Sequence, residues 1–216
     1  MADDLELSIF TLAGEHRGED IYVIGSGPSA GYVDLSFLAN KVTIGVNWAH
    51  LRFPVTYTLC KENGVARSAY EAGQTLIASR YSGGNTQGQL NRFSGCGPYY
   101  VFEHRHNTCA IDGLDEISGK VLVGYSTITS AMHVAAIFGA ANIILIGHDC
   151  GTLDGQCNYP GYPTAPLGSE FYRDFIRKIE DQTIIVRAWL KREYGVNVYS
   201  LNPFIGLGLE GHEYRR

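Results

Sequence analysis

The residues best placed to do chemistry are Gly25, Ser26, Gly27, Pro28 and Ser29, which follow directly on the apolar run 21–24. A buried strand that stops at Gly-x-Gly hands the chain to a helix through a turn small enough to hold a phosphate. Glycine lets the backbone approach a ligand closely, and the N–H groups of the following helix start, with the positive end of its dipole, favour an anion. The spacing Gly25-x-Gly27-x-x-Ala30 also fits the relaxed dinucleotide fingerprint. Two readings stand: a cradle for a nucleotide phosphate, or a tight strand-to-helix turn without a ligand. The strand before and the helix after favour the cradle. On that reading, Gly27→Val abolishes binding and leaves the fold largely intact. A nicotinamide or flavin site further requires an acidic residue at the end of the second strand, to hold the ribose hydroxyls. That place holds Asn47, whose carboxamide can bind a ribose or a base but lacks the carboxylate, which argues against a dehydrogenase.

Other candidates follow the remaining strands. Ser126 and Thr127 open a helix, where two hydroxyls beside exposed N–H groups can contact an anion or ribose, or simply cap the helix. His148 and Asp149 follow the most apolar strand, and Asp149 can contact a ligand, take a proton or cap a turn. His148 with Cys150 and Cys157 matches no standard zinc spacing, so no metal site is assigned. Lys61 and Glu62 sit after a third strand, and His104-Arg105-His106 forms a basic cluster able to do acid–base work or to meet an anion. Tyr159 and Tyr162, in a loop rich in Gly and Pro, can hydrogen-bond a departing phosphate, stack on a base, or pack the loop down.

These positions need a scaffold that brings them to one edge. Period and turn chemistry predict strands near 20–25, 41–46, 55–59, 74–79, 99–103, 120–123, 142–147 and 196–199. Helices are expected over 29–40, from Asn63 onward, over 126–138, and over 170–194 with Ser169 as N-cap and Gly195 as the stop. Residues 80–98 and 148–168 read as long polar loops, the first part of an excursion over about 80–118 and the second holding a short lid-like loop at 150–168. Alternation of strands and helices predicts an α/β fold: a doubly wound, mostly parallel sheet in a single domain, 1–216, with two long loops.

Composition narrows the class. The chain has 216 residues, 45% hydrophobic, with a formal net charge of −5, enough for one packed core and too acidic for a nucleic-acid surface. No apolar run is long enough for a membrane span, and the acidic residues that follow Met1 are unlike a secretory signal. Five cysteines at 60, 96, 109, 150 and 157 lack paired spacing, which suits reduced thiols in a cytoplasmic protein. Self-association as a homo-oligomer is compatible with all of this.

With these residues in place, the chain resembles a Rossmann-like superfamily. It comprises bacterial sialyltransferases, flagellin-modifying motility accessory factors and archaeal hydroxymethylpterin diphosphokinases. The resemblance rests on Ile-Gly-Ser-Gly-Pro-Ser at 24–29, Gly-Val-Asn at 45–47, Tyr-Ser-Thr at 125–127, and Gly-Ala-Ala-Asn-Ile-Ile-Leu-Ile-Gly-His-Asp at 139–149. It covers roughly 20–62, 120–150 and 195–204. It implies that Gly25, Ser26, Gly27, Pro28, Asn47, Ser126 and Thr127, with Ser29 beside them, contact a cytidine monophosphate portion. Asp149 matches the family's Gly-Ile-Asp aspartate, with His148 in place of its Ile. The chain departs from the family at Ser26, where Asn is usual, at Gly151, where a Tyr is usual, and in having no His within 150–168. The expected function is a nucleotide-dependent, glycosyltransferase-like transferase acting between a nucleoside phosphate or nucleotide sugar and a small-molecule or glycan acceptor. Asp149 or His106 would act as base, and Tyr159 or Tyr162 would stabilise the leaving group. Two alternatives remain: a pyrophosphokinase of the hydroxymethylpterin type with Mg2+ on Asp149 and Glu62, and a nucleotide-binding module without catalysis.

Overall fold

The computed structural model describes residues 6–81, 98–104, 119–153, 155–163 and 169–201, with the side chains of 169–173 excepted. His106, Arg105, Cys96 and Cys109 lie outside the described residues, as does most of the expected 80–118 excursion.

The described strands are β1 (Glu6–Ser8), β2 (Asp20–Ile24), β3 (Val42–Val46), β4 (Tyr57–Cys60), β5 (Leu76–Ser79), β6 (Tyr99–Phe102), β7 (Asn142–Ile146) and β8 (Asn197–Ser200). They form one eight-stranded sheet in the order β1-β6-β5-β4-β3-β2-β7-β8. Every neighbouring pair is parallel, where the sequence predicted mostly parallel pairing. Parallel strands are covered on both faces, which is why β2, β4 and β7 read as near-continuous apolar runs. The helices are α1 (Leu35–Leu38), α2 (Asn63–Glu71), α3 (Thr127–Ile137) and α4 (Ser169–Tyr194). Among the described residues no helix is long and apolar enough to cross a membrane.

On one face, α3 is buried along its whole length from Ile128 to Ile137, because it is predominantly apolar, with Thr129, Ser130 and His133 as the polar residues it takes inside. It lies in a core with Ile21, Val23, Ile44 and Leu145 of the sheet and with Val186, Trp189 and Leu190 of the amphipathic α4. His133 locks this layer: its Nδ1 accepts the Leu122 N–H at 3.0 Å, and its Nε2–H therefore donates to the Tyr194 hydroxyl at 2.7 Å. On the opposite face Tyr22, Ile24, Ile144 and Ile146 pack with Leu38, Phe53 and Tyr159.

Three expectations are corrected. The helix over 29–40 is a 3-10 turn, Pro28–Tyr32, followed by the single turn of α1, because Asp34 restarts the chain by capping the Ser36 N–H at 2.9 Å. The strand over 120–123 reduces to one bridge between His104 and Val121, since the Leu122 N–H is drawn away to His133. The edge strand β1, three residues long, has no counterpart in the sequence reading; it pairs with β6 in the register Glu6↔Tyr99.

Strand order reverses between β2 and β7. The chain winds outward through β3, β4, β5 and β6 on one side and through β8 on the other. The carboxyl ends of β2 and β7 therefore flank the crevice where parallel α/β sheets bind ligands.

Candidate functional site

A cavity of about 380 Å³ opens at that crevice, lined by the ends of β2, β3 and β7, the start of α3, the 147–158 segment and the first turns of α4. Its geometry begins with glycines, but their role is not the one the sequence suggested. The Gly25 N–H donates to the Ile146 carbonyl and the Gly27 N–H to the Gly147 carbonyl, both at 2.7 Å. A Cβ on either glycine would lie 2.6 Å from the Gly147 oxygen, and Gly147 itself adopts φ +63° with Ala30 close against it. The three glycines thus let two adjacent turns clasp backbone to backbone.

The clasp redirects the donors of the supposed cradle. Ser29 N–H donates to Asp149 Oδ2 at 2.7 Å, its hydroxyl donates to Asp149 Oδ1, and the Ala30 N–H returns to the Gly27 carbonyl. Pro28 has no N–H. Of the amides from 25 to 30, only that of Ser26 has no partner among the described residues. Asp149, 8% exposed, occupies with its own carboxylate the place where an anion was expected. The expectation that the helix start cradles a phosphate with its free amides is therefore corrected, as is the expectation for Gly27→Val. Any Cβ at Gly27 would meet Asp149 Oδ2 at 2.7 Å and disturb the fold along with the site.

The polar side of the cavity is built on Asn47. β3 runs straight into a 3-10 turn, Asn47–Leu51, and Asn47 enters it with φ 55°, a left-handed conformation that few residues but glycine adopt and that Asn tolerates better than most. Its Oδ1 is buried and has no hydrogen-bond partner among the described residues. The phenol of Tyr162 stands beside it, approached by the Trp48 N–H and by the side chains of Ser26 and Asn47. Burial raises the Tyr162 pKa and outweighs those hydrogen bonds, which act to lower it, so the phenol keeps its proton and can donate it. Tyr159 does not line the cavity. It is 3% exposed, edge-on to Phe53 at 5.4 Å and to Tyr162 at 5.2 Å, and its N–H is bonded to the Ser26 carbonyl at 2.9 Å. It packs the loop down and so positions Tyr162.

Ser126 lines the cavity as the N-cap of α3, its Oγ accepting the Ile128 N–H at 3.2 Å. Thr127 begins the helix but is not part of the lining. His148 lines the cavity and reaches Thr183 of α4, with Nε2 and Oγ1 2.7 Å apart. Phe175, Ile176 and Ile179 of α4 supply an apolar wall, a contribution hidden in the sequence because that helix reads chiefly as a charged, solvated face. Among the described residues no Lys or Arg lines the cavity. Lys61, beyond it at the end of β4, is 7% exposed, with its Nζ 3.5 Å from the Gly124 carbonyl. Burial lowers its pKa to about 8, against a smaller opposing effect of Glu62. Of the two carboxylates the Mg2+ alternative needs, Asp149 lines the cavity and Glu62 does not. Cys60, Cys150 and Cys157 are free thiols, and among the described residues no group of three His, Cys, Asp or Glu side chains is arranged to hold a metal.

No family model and no curated protein matches the chain. Among solved structures it is similar to a single-residue variant of the sialyltransferase CST-II in complex with CMP, at 13% identity and TM-score 0.51, covering 87% of this chain and 86% of that one. It is also similar to the monofunctional alpha-2,3-sialyltransferase Cst-I from Campylobacter jejuni, at 14% identity and TM-score 0.48, covering 88% and 78%. A third is the sialyltransferase CstII from Campylobacter jejuni with cytidine-5′-monophosphate, at 13% and 0.45, covering 88% and 85%. At such identities the likeness is one of fold: over most of its length the chain has the all-parallel, Rossmann-like α/β architecture of these enzymes.

Proposed function

We propose that the protein is a nucleotide-dependent transferase of the glycosyltransferase kind, holding a nucleoside phosphate or nucleotide sugar in the cavity at the ends of β2, β3 and β7. The observation that carries the reading is Asn47. A left-handed backbone and a buried carboxamide oxygen with no partner among the described residues meet in one residue, and such features concentrate where a ligand completes the site. A nucleoside supplies the missing donor from its ribose or base, and the apolar wall of Phe175, Ile176 and Ile179 suits a flat ring.

Substitution at an activated sugar carbon requires that the charge developing on the departing phosphate be stabilised. The Tyr162 hydroxyl, the Ser26 side chain and the unpartnered Ser26 N–H are the donors available for that task. Asp149, held by Ser29, fixes the turn that carries Ser26. A small-molecule or glycan acceptor would approach from the open side of the cavity. The capture of Asp149 by Ser29 is the one observation that favours a second reading, a nucleotide-binding module that does no chemistry.

Thermal-shift titration with cytidine, uridine, guanosine and adenosine 5′-monophosphates, with and without Mg2+, tests the proposal; the fold likeness makes cytidine 5′-monophosphate the first to try. Stabilisation of about 2–3 kcal/mol at a hundredfold excess over Kd is expected without metal. Stabilisation that depends strictly on Mg2+ and ATP would turn the reading toward pyrophosphoryl transfer. A flat response to all four monophosphates and to ATP would refute nucleotide binding.

A further inference from the structure

We infer that His148 binds the ligand directly, its Nδ1 accepting a hydrogen bond from an N–H or O–H group of the molecule in the cavity. This deepens the nucleotide reading above and rests on it.

Thr183 Oγ1 donates to the Ile179 carbonyl at 2.8 Å, which commits the hydroxyl's single proton. The same oxygen lies 2.7 Å from His148 Nε2, so the ring must be the donor there. Nε2 therefore carries the proton, and Nδ1 is a bare lone pair. The Cys150 sulfur, 3.8 Å away, also faces Nε2 and does nothing for Nδ1. Among the described residues Nδ1 has no partner, although the ring is 5% exposed and lines the cavity. Burial keeps the imidazole neutral, its pKa pushed down to about 4, so the lone pair is present at pH 7. Asp149 is already engaged by Ser29, which leaves two acceptors on the lining residues without a donor among the described residues, His148 Nδ1 and the buried Asn47 Oδ1. With no Lys or Arg among the described lining residues and the Phe175, Ile176 and Ile179 wall in the same cavity, the ligand portion here is uncharged and carries N–H or O–H edges. A nucleobase amine and a sugar hydroxyl share that chemistry.

Protein labelled with 15N-histidine provides the test. Before any ligand is added, a long-range 1H–15N spectrum should show His148 as the Nε2–H tautomer; an Nδ1–H tautomer would overturn the inference at once. Cytidine, uridine, adenosine and guanosine 5′-monophosphates are then titrated. At saturation the Nδ1 resonance should move upfield. His148→Gln, which keeps a group facing Thr183 but has none at the Nδ1 position, should bind about tenfold more weakly. His148→Asn, which puts an acceptor near Nδ1, should recover most of the loss. A response to cytidine but not uridine monophosphate identifies a base amine as the donor. A response to both that 2′-deoxycytidine monophosphate fails to give identifies a ribose hydroxyl. An Nδ1 resonance unmoved at saturation, with both variants binding like wild type, overturns the assignment and leaves nucleotide binding standing. No binding of any nucleotide by the wild type overturns the nucleotide reading and this inference with it.

Discussion

Gly27→Ala tests whether the glycine turn is a backbone clasp. The added Cβ would sit 2.6 Å from the Gly147 oxygen and 2.7 Å from Asp149 Oδ2, where ordinary contact begins at 3.4 Å. The turn must then retreat by roughly 0.8 Å from a neighbouring backbone that has no flexible side chain to yield. Over-packing of this kind costs about 1–3 kcal/mol. The movement also weakens the 2.7 Å bond from Gly27 N–H to the Gly147 carbonyl, worth about 1 kcal/mol, and strains the Ser29–Asp149 pair, whose charge-assisted bonds are worth somewhat more. A total of about 3–5 kcal/mol follows, or roughly 6–20 °C in Tm for a chain of this size. Urea unfolding followed by far-UV circular dichroism measures it. Gly151→Ala is the internal control: its Cβ would meet nothing nearer than the Asp149 carbonyl at 3.6 Å, and it should stay within about 0.5 kcal/mol of wild type. A Gly27→Ala protein within about 1 kcal/mol of wild type would refute the clasp.

Two pH effects follow from buried bases. His133 is neutral in the fold, its pKa lowered to about 4 by burial, and takes up its proton near its ordinary value of 6.5 once unfolded. The unfolded chain thus binds more protons between those values, and His133 should contribute roughly 3 kcal/mol to the loss of stability as pH drops from 6.5 to 4, beside a like contribution from His148. His133→Asn, which keeps an acceptor for the Leu122 N–H but does not titrate, should remove its own share and make that part of the urea-midpoint profile shallower; an unchanged slope would contradict it. Lys61 follows the same rule at higher pH: burial lowers its pKa from 10.5 to about 8, so its charged form weakens the fold below pH 8 and the penalty fades as pH rises toward 10.5. Lys61→Met should therefore be more stable than wild type by roughly 2–4 kcal/mol at pH 7, and the gap should close by pH 10.5. A less stable variant at pH 7 would show that the ammonium has partners that repay its burial.

Much of the framework was legible because its causes are local. β2 and β7 are apolar on both faces, and α3 is bracketed by Ser126 and Gly139, so their positions follow from pattern and caps. The short edge strand β1 carries too few residues for a period, and the helix predicted over 29–40 is broken in two because Asp34 caps a fresh turn at Ser36. At the site, the sequence picked out Ser26, Asn47, Ser126, Asp149 and Tyr162, all of which line one cavity. It could not assign their roles. Whether a glycine faces a phosphate or a neighbouring carbonyl depends on the register between β2 and β7, although Gly147 beside Gly25-x-Gly27 is itself a mark of close backbone approach. Thr183, which decides the tautomer of His148, is invisible until α4 is laid across the sheet.

The central claim is that Asn47 holds a strained, half-satisfied conformation for the sake of a nucleotide. Asn47→Gly separates the two sides of that claim. Glycine accepts φ 55° without penalty and removes the orphaned oxygen, which together offset glycine's extra backbone entropy of about 0.5–1 kcal/mol and the loss of the Asn47 side chain from Tyr162. Scanning calorimetry of wild type and variant, each alone and with the four nucleoside 5′-monophosphates, reads both. The account predicts a variant at least as stable as wild type when free, and without the stabilisation that a nucleotide gives the wild type. A variant that is less stable when free, yet responds to nucleotide as wild type does, would contradict it.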